Sequence, residues 1–233
     1  MQLRAMAEQR LIVNPESPNM ALSPVKSFSI SLTTSISSMT ETQLLDLYRQ
    51  YESLLEGHFL LSSGKHSSRY LQSAKVLSHP EAAEQIGEAI GALFTRRGIE
   101  IDLVVGPAMG AVIVAHEVGR ALKTPAFFTE REGGAMTLRR GFAIPQGARV
   151  LLVEDVVTTG KSTRETIEVV EGLGGKVVAV GSIIDRSGGK ADFGGRPFHA
   201  IAQLEIPVYD PSSCPLCAAG GPAPYKPGSR PTA

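Results

Sequence analysis

The chain has 233 residues, of which 42% are hydrophobic and 20% charged, and its formal net charge is zero. These values suit one globular domain with a sizeable core, and the balanced charge argues against a nucleic-acid-binding protein. No apolar run reaches the roughly 18 residues of a membrane span, and two cysteines suit a reducing compartment, so we predict a cytoplasmic protein without a nucleic-acid or membrane partner.

The first 38 residues differ from the rest of the chain. The stretch SFSISLTTSISS at 27–38 is rich in Ser and Thr, and three prolines precede it. This composition predicts a disordered extension over 1–38. A transit peptide, an edge strand and a translation start at Met39 are alternative interpretations.

An ordered pattern begins at Thr40. Thr40 and Gln43 match a capping box, and leucines and tyrosines then recur at helical spacing as far as Leu55. The next stretch, GHFLLSSGKHSSRYLQ at 57–72, has short apolar pieces on both sides of Ser63-Gly64. It predicts two strands joined by a tight turn.

From about residue 80 the chain alternates between helical and strand patterns. The predicted elements are a helix over 80–97, a strand over 101–105, a helix over 111–122, a strand over 125–129, a strand over 150–155, a helix over 161–173 and a strand over 176–185. Such repeats imply an α/β fold with a doubly wound, mostly parallel sheet flanked by helices. Ligands bind at the carboxyl ends of such strands, where the polar segments 106–110, 130–142 and 154–163 fall.

After residue 210 the chain is rich in Pro and Gly, which predicts an arm over 211–233. Its Cys214 and Cys217 have C-x-x-C spacing. A zinc site needs two more ligands, and because no matching pair is nearby we predict that the cysteines bind no metal. The five histidines are scattered, and we interpret each as structural or exposed: His58, His66, His79, His116 and His199.

The stretch RVLLVEDVVTTGKST at 149–163 carries the clearest chemistry. Four apolar residues run into Glu154 and Asp155, and a small, hydroxyl-rich loop then leads into a predicted helix. Unpaired amides at a helix N-terminus form a phosphate cradle. Carboxylates suit this place if a sugar with vicinal hydroxyls lies between them and the phosphate. They could also attract positive charge developing on the sugar or help to hold Mg²⁺. A charge cluster without function is the alternative.

Residues 150–163 resemble the phosphoribosyl pyrophosphate (PRPP) signature of the type I phosphoribosyltransferases. Over about residues 40–230 the chain is most similar to the orotate phosphoribosyltransferases, through FLLSSGKHSSRYLQ, GPAMGAV, FTEREGGAMTLRRGF, VEDVVTTGKS and IIDRSGG. The resemblance implies a transferase domain over 39–210, with residues 40–75 contributing to a small N-terminal hood. It also implies the reaction of orotate with PRPP and Mg²⁺, which gives orotidine 5'-monophosphate and pyrophosphate in pyrimidine biosynthesis.

The resemblance also assigns roles to residues, with the loop holding the 5'-phosphate and the acids holding the ribose hydroxyls. The residues expected to bind PRPP are Met109, Gly110, Arg131, Glu154, Asp155, Val156, Val157, Thr158, Thr159, Gly160, Lys161 and Ser162. Those expected to bind orotate are Tyr70, Leu71, Thr158 and Arg186. The expected catalytic residues are Arg131, Glu154 and Asp155, and Mg²⁺ would be held mainly through PRPP. Many relatives carry two Asp at the acidic pair, so Glu154 is a departure.

The polar segment 130–142 would form a mobile cover that excludes water from PRPP. Gly133-Gly134 would supply hinges, and Arg131, Arg139 and Arg140 would supply charge. In the family this cover reaches into the partner subunit's site, which implies a homodimer with shared active sites. The best-known relatives carry Lys and His in the cover. This segment has neither, and we expect its arginines to substitute.

Two other functions stay open at this point. One is a phosphoribosyltransferase for a purine or for uracil, and the other is a PRPP-sensing regulator that binds nucleic acid instead of catalysing. Arg186, directly after the strand 176–185, favours an acidic base such as orotate. The zero net charge and the Ser-rich start disfavour the regulator.

Overall fold

The computed structural model describes residues 38–61 and 63–227. The predicted extension over 1–38 lies outside these residues except for Ser38. The first helix, α1 (Glu41–Gln50), begins with the predicted capping box: the Thr40 hydroxyl accepts from the Gln43 amide at 3.2 Å, and the Gln43 side chain accepts from the Thr40 amide at 2.8 Å.

The helical pattern was expected to continue to Leu55, and that expectation is wrong. Helix α1 ends at Gln50, and the chain turns through Glu52, whose φ is +50°. Leu54 and Leu55 instead open the strand β1 (Leu54–Leu60), which pairs antiparallel with β2 (His66–Leu71). This pair is the hairpin predicted around Ser63-Gly64, where Gly64 has a φ of +79° that favours glycine.

The main sheet has six strands in the order β5-β4-β3-β6-β7-β8, and every neighbouring pair is parallel except β4 with β5. Its strands and the surrounding helices are α2 (Ser73–Leu77), α3 (Pro80–Thr95), β3 (Leu103–Pro107), α4 (Ala111–Leu122), β4 (Ala126–Glu132), β5 (Ala135–Leu138), β6 (Arg149–Val157), α5 (Lys161–Gly172), β7 (Lys176–Asp185) and β8 (Phe198–Gln203). The predicted α/β, doubly wound and mostly parallel sheet is confirmed. None of the described helices is long and apolar enough to cross a bilayer.

The central strands are continuous apolar runs because helices cover both faces of the sheet. Along β6, Leu151 and Val153 belong to the apolar cluster that includes α3 and α4, whereas Val150 and Leu152 belong to the cluster that includes α5. The chain leaves β3 through α4 toward one edge of the sheet and later returns through β6 on the other side. The carboxyl ends of β3 and β6 therefore meet at the topological switch point, where such sheets bind ligands.

The segment 130–142 was expected to be a polar loop, but it is mostly an antiparallel ribbon. Strand β4 continues through Glu132, and β5 pairs with it in a register from Thr129 opposite Leu138 to Glu132 opposite Ala135. The turn between the strands is Gly133-Gly134, with φ values of +58° and +90°. Two consecutive positive φ values are what a tight hairpin turn requires, and glycine supplies them without strain.

The described part of the C-terminal arm, residues 211–227, packs against the hood hairpin, defined as β1 and β2. Just before it, an unpredicted strand β9 (Val208–Tyr209) pairs antiparallel with β2. A single 3₁₀ turn and the helix α6 (Pro215–Ala218) follow. Farther along, the Tyr225 carbonyl accepts from the Leu60 amide at 2.8 Å, and the Tyr225 amide donates to the His58 carbonyl at 2.9 Å.

This packing overturns one expectation about the cysteines. No second pair of metal ligands was expected near Cys214 and Cys217, but the arm places them beside His58 and His66 of the hood hairpin. The histidines lie about 150 residues earlier in the chain, so only the tertiary fold brings the four together. His58 and His66 are buried, as a structural interpretation requires, but they also face two thiols.

Candidate active site

Three polar segments meet at the carboxyl edge of the main sheet. Strand β6 lies between β3 and β7 in parallel register, with Val105 opposite Leu152 and Val157 opposite Asp185. The loop 106–110 follows β3, the acids and their loop follow β6, and Arg186 follows β7. The structure thus brings together two of the polar segments that the sequence indicated, 106–110 and 154–163, and adds Arg186 beside them.

Glu154 and Asp155 form a desolvated acidic pair near the end of β6. Glu154 is 9% exposed, and burial, followed by the adjacent Asp155 charge, raises its pKa to about 8. Burial also raises the pKa of Asp155. Hydrogen bonds from backbone amides and from the Ser73 hydroxyl partly oppose this rise. Among the described residues no Lys or Arg forms a salt bridge with either acid. The pair therefore has hydrogen-bond donors but no described cation to balance the charge of two buried carboxylates.

Ser73 connects the acidic pair to the hood. Its hydroxyl, which interacts with Asp155, also accepts a hydrogen bond from the buried Tyr48 hydroxyl at 3.1 Å. Ser73 begins α2, two residues after β2 ends. Tyr48 and Ser73 were not predicted, because Ser73 lies more than 80 residues before Asp155 in the chain and Tyr48 reaches the acid only through Ser73, so neither has a local signature.

The loop after β3 lies directly against the acidic pair. A Cβ atom built on Gly110 would be 2.6 Å from Asp155 Oδ1, so any larger residue would displace the carboxylate. The neighbouring Met109 is 83% exposed, and the Ala108–Met109 peptide bond is cis. Gly110 and Asp155 thus share one wall of the site, and backbone groups of the loop line its rim.

The loop after β6 presents the N-terminus of α5. Gly160 precedes this helix with a φ of +69°, and a Cβ atom there would be 2.9 Å from the Phe193 ring. No side chain caps the helix, and the buried Thr163 hydroxyl has no partner among the described residues. Thr158 and Thr159 are exposed, and the Thr159 carbonyl accepts from Arg164 Nη2 at 2.8 Å. The Lys161 amide makes only a long hydrogen bond of 3.4 Å to the Thr159 hydroxyl, so the loop is held with its other amides open, as anion binding requires.

The predicted cover arginines are all paired with carboxylates. Arg131 Nη1 donates to the Gly134 carbonyl at 2.9 Å, and its Nη2 pairs with Glu165 of α5. The other two pairs are Arg139–Glu132 at 3.2 Å and Arg140–Glu130 at 2.9 Å. The contact with Glu165 connects the ribbon to the first turn of α5, where Lys161 lies. Glu165 is a third residue, after Tyr48 and Ser73, that was not predicted from the sequence.

Arg186 directly follows β7, which neighbours β6 on the side away from β3. Its amide donates to the Val157 carbonyl at 2.8 Å, which fixes it to the end of β6. Its Nε is buried and has no partner among the described residues, and burial lowers the pKa of the guanidinium. A partly buried, incompletely paired guanidinium has the fork geometry that binds a carboxylate.

Tyr70 and Leu71 form the last two residues of β2 and are partly buried. They directly precede the segment that leads to Ser73, which contacts Asp155. The end of the hood hairpin is therefore connected to the acidic pair through Ser73.

We predict that Glu154→Gln stabilises the protein without ligand in a pH-dependent way. A carboxyl whose pKa rises from 4.5 to about 8 on folding binds its proton more tightly in the folded state. Stability is then highest below the unfolded pKa and falls as the pH rises through this window. The free energy of unfolding of the Gln variant should exceed that of the parent by about 1–3 kcal/mol near pH 9 and by much less near pH 5. Calorimetry at both pH values would measure this difference. Glu168→Gln on the exposed face of α5 is the control, and an equal shift at both pH values would contradict the prediction.

Comparison with known proteins matches this arrangement to one family. The family model described as a phosphoribosyl transferase domain matches residues 72–192. That range contains the loop after β3, the acidic pair, the loop after β6 and Arg186. The chain belongs to the phosphoribosyltransferase family.

Its relatives narrow the assignment. It is 52% identical over 193 residues to an orotate phosphoribosyltransferase of Heliobacterium modesticaldum, covering 82% of this chain and 100% of the relative. It is 55% identical over 177 residues to that of Thermotoga maritima, covering 76% and 92%. The solved orotate phosphoribosyltransferase of Aeropyrum pernix aligns with a TM-score of 0.59 at 27% identity, covering 70% of this chain and 94% of that one. Within the family, the chain belongs to the orotate phosphoribosyltransferases.

Proposed function

We propose that the chain transfers the 5-phosphoribosyl group of PRPP to orotate, releasing pyrophosphate and forming orotidine 5'-monophosphate for pyrimidine biosynthesis. The observation that carries this proposal is the meeting of Glu154-Asp155, an uncapped helix N-terminus and Arg186 at one edge of the sheet. Solved Mycobacterium tuberculosis orotate phosphoribosyltransferase in complex with PRPP aligns with a TM-score of 0.57 at 27% identity, covering 70% of this chain and 94% of that one.

The phosphate end of PRPP would bind first to backbone groups. Amides and hydroxyls of the loop 158–162 would donate to the 5'-phosphate at the N-terminus of α5, whose partial positive charge favours an anion. Asp155 and Glu154 would accept hydrogen bonds from the ribose hydroxyls. Those donors would relieve the desolvation that raises the pKa of both acids.

Cleavage of the bond between the ribose and pyrophosphate would be promoted by electrostatic stabilisation rather than by a covalent intermediate with the protein. As pyrophosphate leaves, positive charge develops on the sugar ring, and the neighbouring carboxylates stabilise it. Backbone groups of Met109 and Gly110 would contact the pyrophosphate. Arg131 must release Glu165 before it can contact the pyrophosphate. We therefore propose that, when the ribbon closes, Arg131 exchanges Glu165 for the pyrophosphate.

Mg²⁺ suits the oxygen-rich and undersatisfied acidic pair, and we propose that it enters bound to PRPP. When bound, it would supply charge neutralisation for the departing pyrophosphate. Glu154 and Asp155 are the residues that would help to hold it, beside the ribose hydroxyls that they would contact.

Orotate would bind on the side of Arg186. The guanidinium would pair with the carboxylate of orotate, which supplies the partner that Nε lacks. Thr158 would contact the same base from the loop, while Tyr70 and Leu71 would cover it from the hood. This arrangement holds the ring nitrogen near the anomeric carbon, so positioning supplies much of the rate.

We further propose a homodimer in the cytoplasm. The ribbon, residues 130–142, extends from the edge of the sheet and carries three arginines, which suits contribution to a neighbouring subunit's site. Sedimentation analysis should show a dimer under assay conditions, and a monomer with full activity would contradict shared sites. Cell fractionation tests the location.

A substrate panel tests the proposed reaction. Purified protein would receive PRPP and Mg²⁺ with orotate, uracil, adenine or hypoxanthine, and nucleotide formation would be measured by chromatography. We expect rapid turnover with orotate only, because the other bases lack a carboxylate for Arg186. Addition of EDTA should abolish the reaction. Equal or faster turnover with a purine or uracil would overturn the assignment.

A further inference from the structure

Four side chains with metal-binding atoms converge in the hood, and none of them is among the residues proposed to bind PRPP and orotate. His58 on β1 and His66 on β2 come from the hood hairpin, while Cys214 and Cys217 come from the C-terminal arm. One ligand atom from each residue lies within 4.8 Å of all the others. This is the one such group of three or more His, Cys, Asp or Glu residues found in the described part of the chain.

Four of the six separations between these atoms are close to those of a tetrahedron around one ion, and all six are within 4.8 Å. His58 Nε2 lies 3.0 Å from His66 Nδ1, 3.6 Å from Cys214 Sγ and 3.7 Å from Cys217 Sγ, and Cys217 Sγ lies 3.4 Å from His66 Nδ1. Zinc bonds of about 2.0–2.1 Å to nitrogen and about 2.3 Å to sulfur place tetrahedral ligands roughly 3.3–3.8 Å apart. Small movements would therefore suffice to admit the ion.

The orientation of His58 supports a ligand role. Its Nδ1 lies 2.9 Å from the Pro222 carbonyl, which can only accept a hydrogen bond. Nδ1 therefore carries the proton, and the lone pair of Nε2 points into the cluster. A backbone carbonyl that fixes the tautomer of a histidine is typical of the outer shell of metal sites.

The burial of the group indicates a structural rather than a catalytic site. Three of the four ligands are buried, with His58 8% exposed, His66 6% exposed and Cys214 2% exposed, and only Cys217 lies at the surface. Four protein ligands would leave no open position for substrate, as in closed structural zinc sites. Two thiolates would also neutralise a divalent cation, so the loaded cluster would carry no net charge into this buried place.

The arm needs a strong attachment because it buries few apolar side chains. Within residues 211–227 the only buried residues are Cys214 and Pro227. The other attachments near the hood hairpin are short backbone pairings and the exposed salt bridge between Lys65 and Asp210 at 3.3 Å. Exposed ion pairs contribute little, whereas a metal crosslink between distant segments restricts the unfolded chain strongly.

We propose that His58 Nε2, His66 Nδ1 and the thiolates of Cys214 and Cys217 bind one Zn²⁺ ion that fastens the C-terminal arm to the hood hairpin. Two nitrogen and two sulfur ligands in a closed tetrahedron select zinc over Mg²⁺ or Ca²⁺, which prefer oxygen. Binding releases the two thiol protons, and no oxidant or reductant is needed.

Metal analysis of the full chain tests this proposal. Protein produced without a histidine tag and purified without chelator should contain about one zinc per chain by elemental mass spectrometry. Chelator-treated protein, given Co²⁺ alone, should develop the visible band of a tetrahedral site and a thiolate-to-cobalt charge-transfer band. Removal of zinc should lower Tm by about 5–10 °C, and ZnCl₂ should restore it.

Variants separate the cluster from adventitious binding. The double variant Cys214→Ser/Cys217→Ser and the single variant His66→Ala should lose the zinc. His116→Ala is the matched control, because that histidine is exposed and distant from the cysteines in the chain, and it should keep the zinc. If the cluster variants fail to fold, the cobalt spectrum of the parent protein still decides the question.

Three results would overturn the proposal. They are zinc far below one equivalent even after ZnCl₂ is added, a Cys214–Cys217 disulfide in protein purified under reducing conditions, and zinc retained by the double cysteine variant. All of these readouts are independent of phosphoribosyl transfer. A failed substrate panel would therefore leave this proposal standing, and the reverse also holds.

Discussion

Asp155→Asn should lower kcat by about 10²–10³ while leaving the protein folded. The substitution keeps the shape of the side chain and removes its charge, which we propose stabilises the positive charge that develops on the ribose. Because Asp155 lies against Gly110 and near Ser73, an isosteric change is the one that preserves this packing. Steady-state kinetics with orotate and PRPP would measure the effect.

The stability of this variant provides the internal check. Burial raises the pKa of Asp155, so its charge destabilises the folded state and the Asn variant should melt at the same temperature or slightly higher. Asp46→Asn is the control, since Asp46 is exposed on α1 and pairs there with Arg49. A kcat within about threefold of the parent would contradict a catalytic role, since loss of one such contact costs far more.

Arg186→Ala should raise the KM for orotate by about 10²-fold or more and change the KM for PRPP by much less. A charge-assisted, two-point contact with a carboxylate is worth about 1.5–3 kcal/mol, and more where it is buried. Arg186→Lys should recover only part of the loss, because an ammonium keeps the charge but not the planar fork.

Two further measurements would show whether the effect of Arg186→Ala is specific to the contact with orotate. Arg196→Ala removes a guanidinium from the same segment after β7, where it pairs with Glu171 at 2.5 Å, and should leave both KM values nearly unchanged. The preference for orotate over uracil should also shrink in Arg186→Ala, since the two bases differ in the carboxylate. An equal loss of orotate and PRPP affinity would show that Arg186 supports the whole site instead.

The sequence predicted the parts of the fold whose signals are local. Buried runs such as 150–155 and 176–185 alternate with amphipathic helices, and that rhythm defines the parallel sheet and places the loops at one edge. The acidic pair and the loop after it are contiguous, so their chemistry was also visible. Strands β5, β8 and β9 were missed, and β9 has only two residues, too few for a periodicity to appear.

The sequence failed where distant segments meet. Arg131 could be predicted to carry charge, but its partner Glu165 lies on another element. The C-x-x-C pair supplied half of a ligand set, while His58 and His66 appeared to be isolated residues in a hairpin. They are eight residues apart and flank a tight turn, and an antiparallel pairing brings both toward one place. That spacing was the available signal.

The small sheet β1-β2-β9 combines strands that are far apart in the sequence. Its first two strands precede the α/β core, and its third strand follows the core. During translation the hairpin leaves the ribosome early, and its partner strand leaves more than 130 residues later. The edge of β2 that pairs with β9 therefore stays unpaired in the nascent chain until the core has been synthesised. Completion of this sheet is a late, high-contact-order event, and chaperones would meet the exposed edge first.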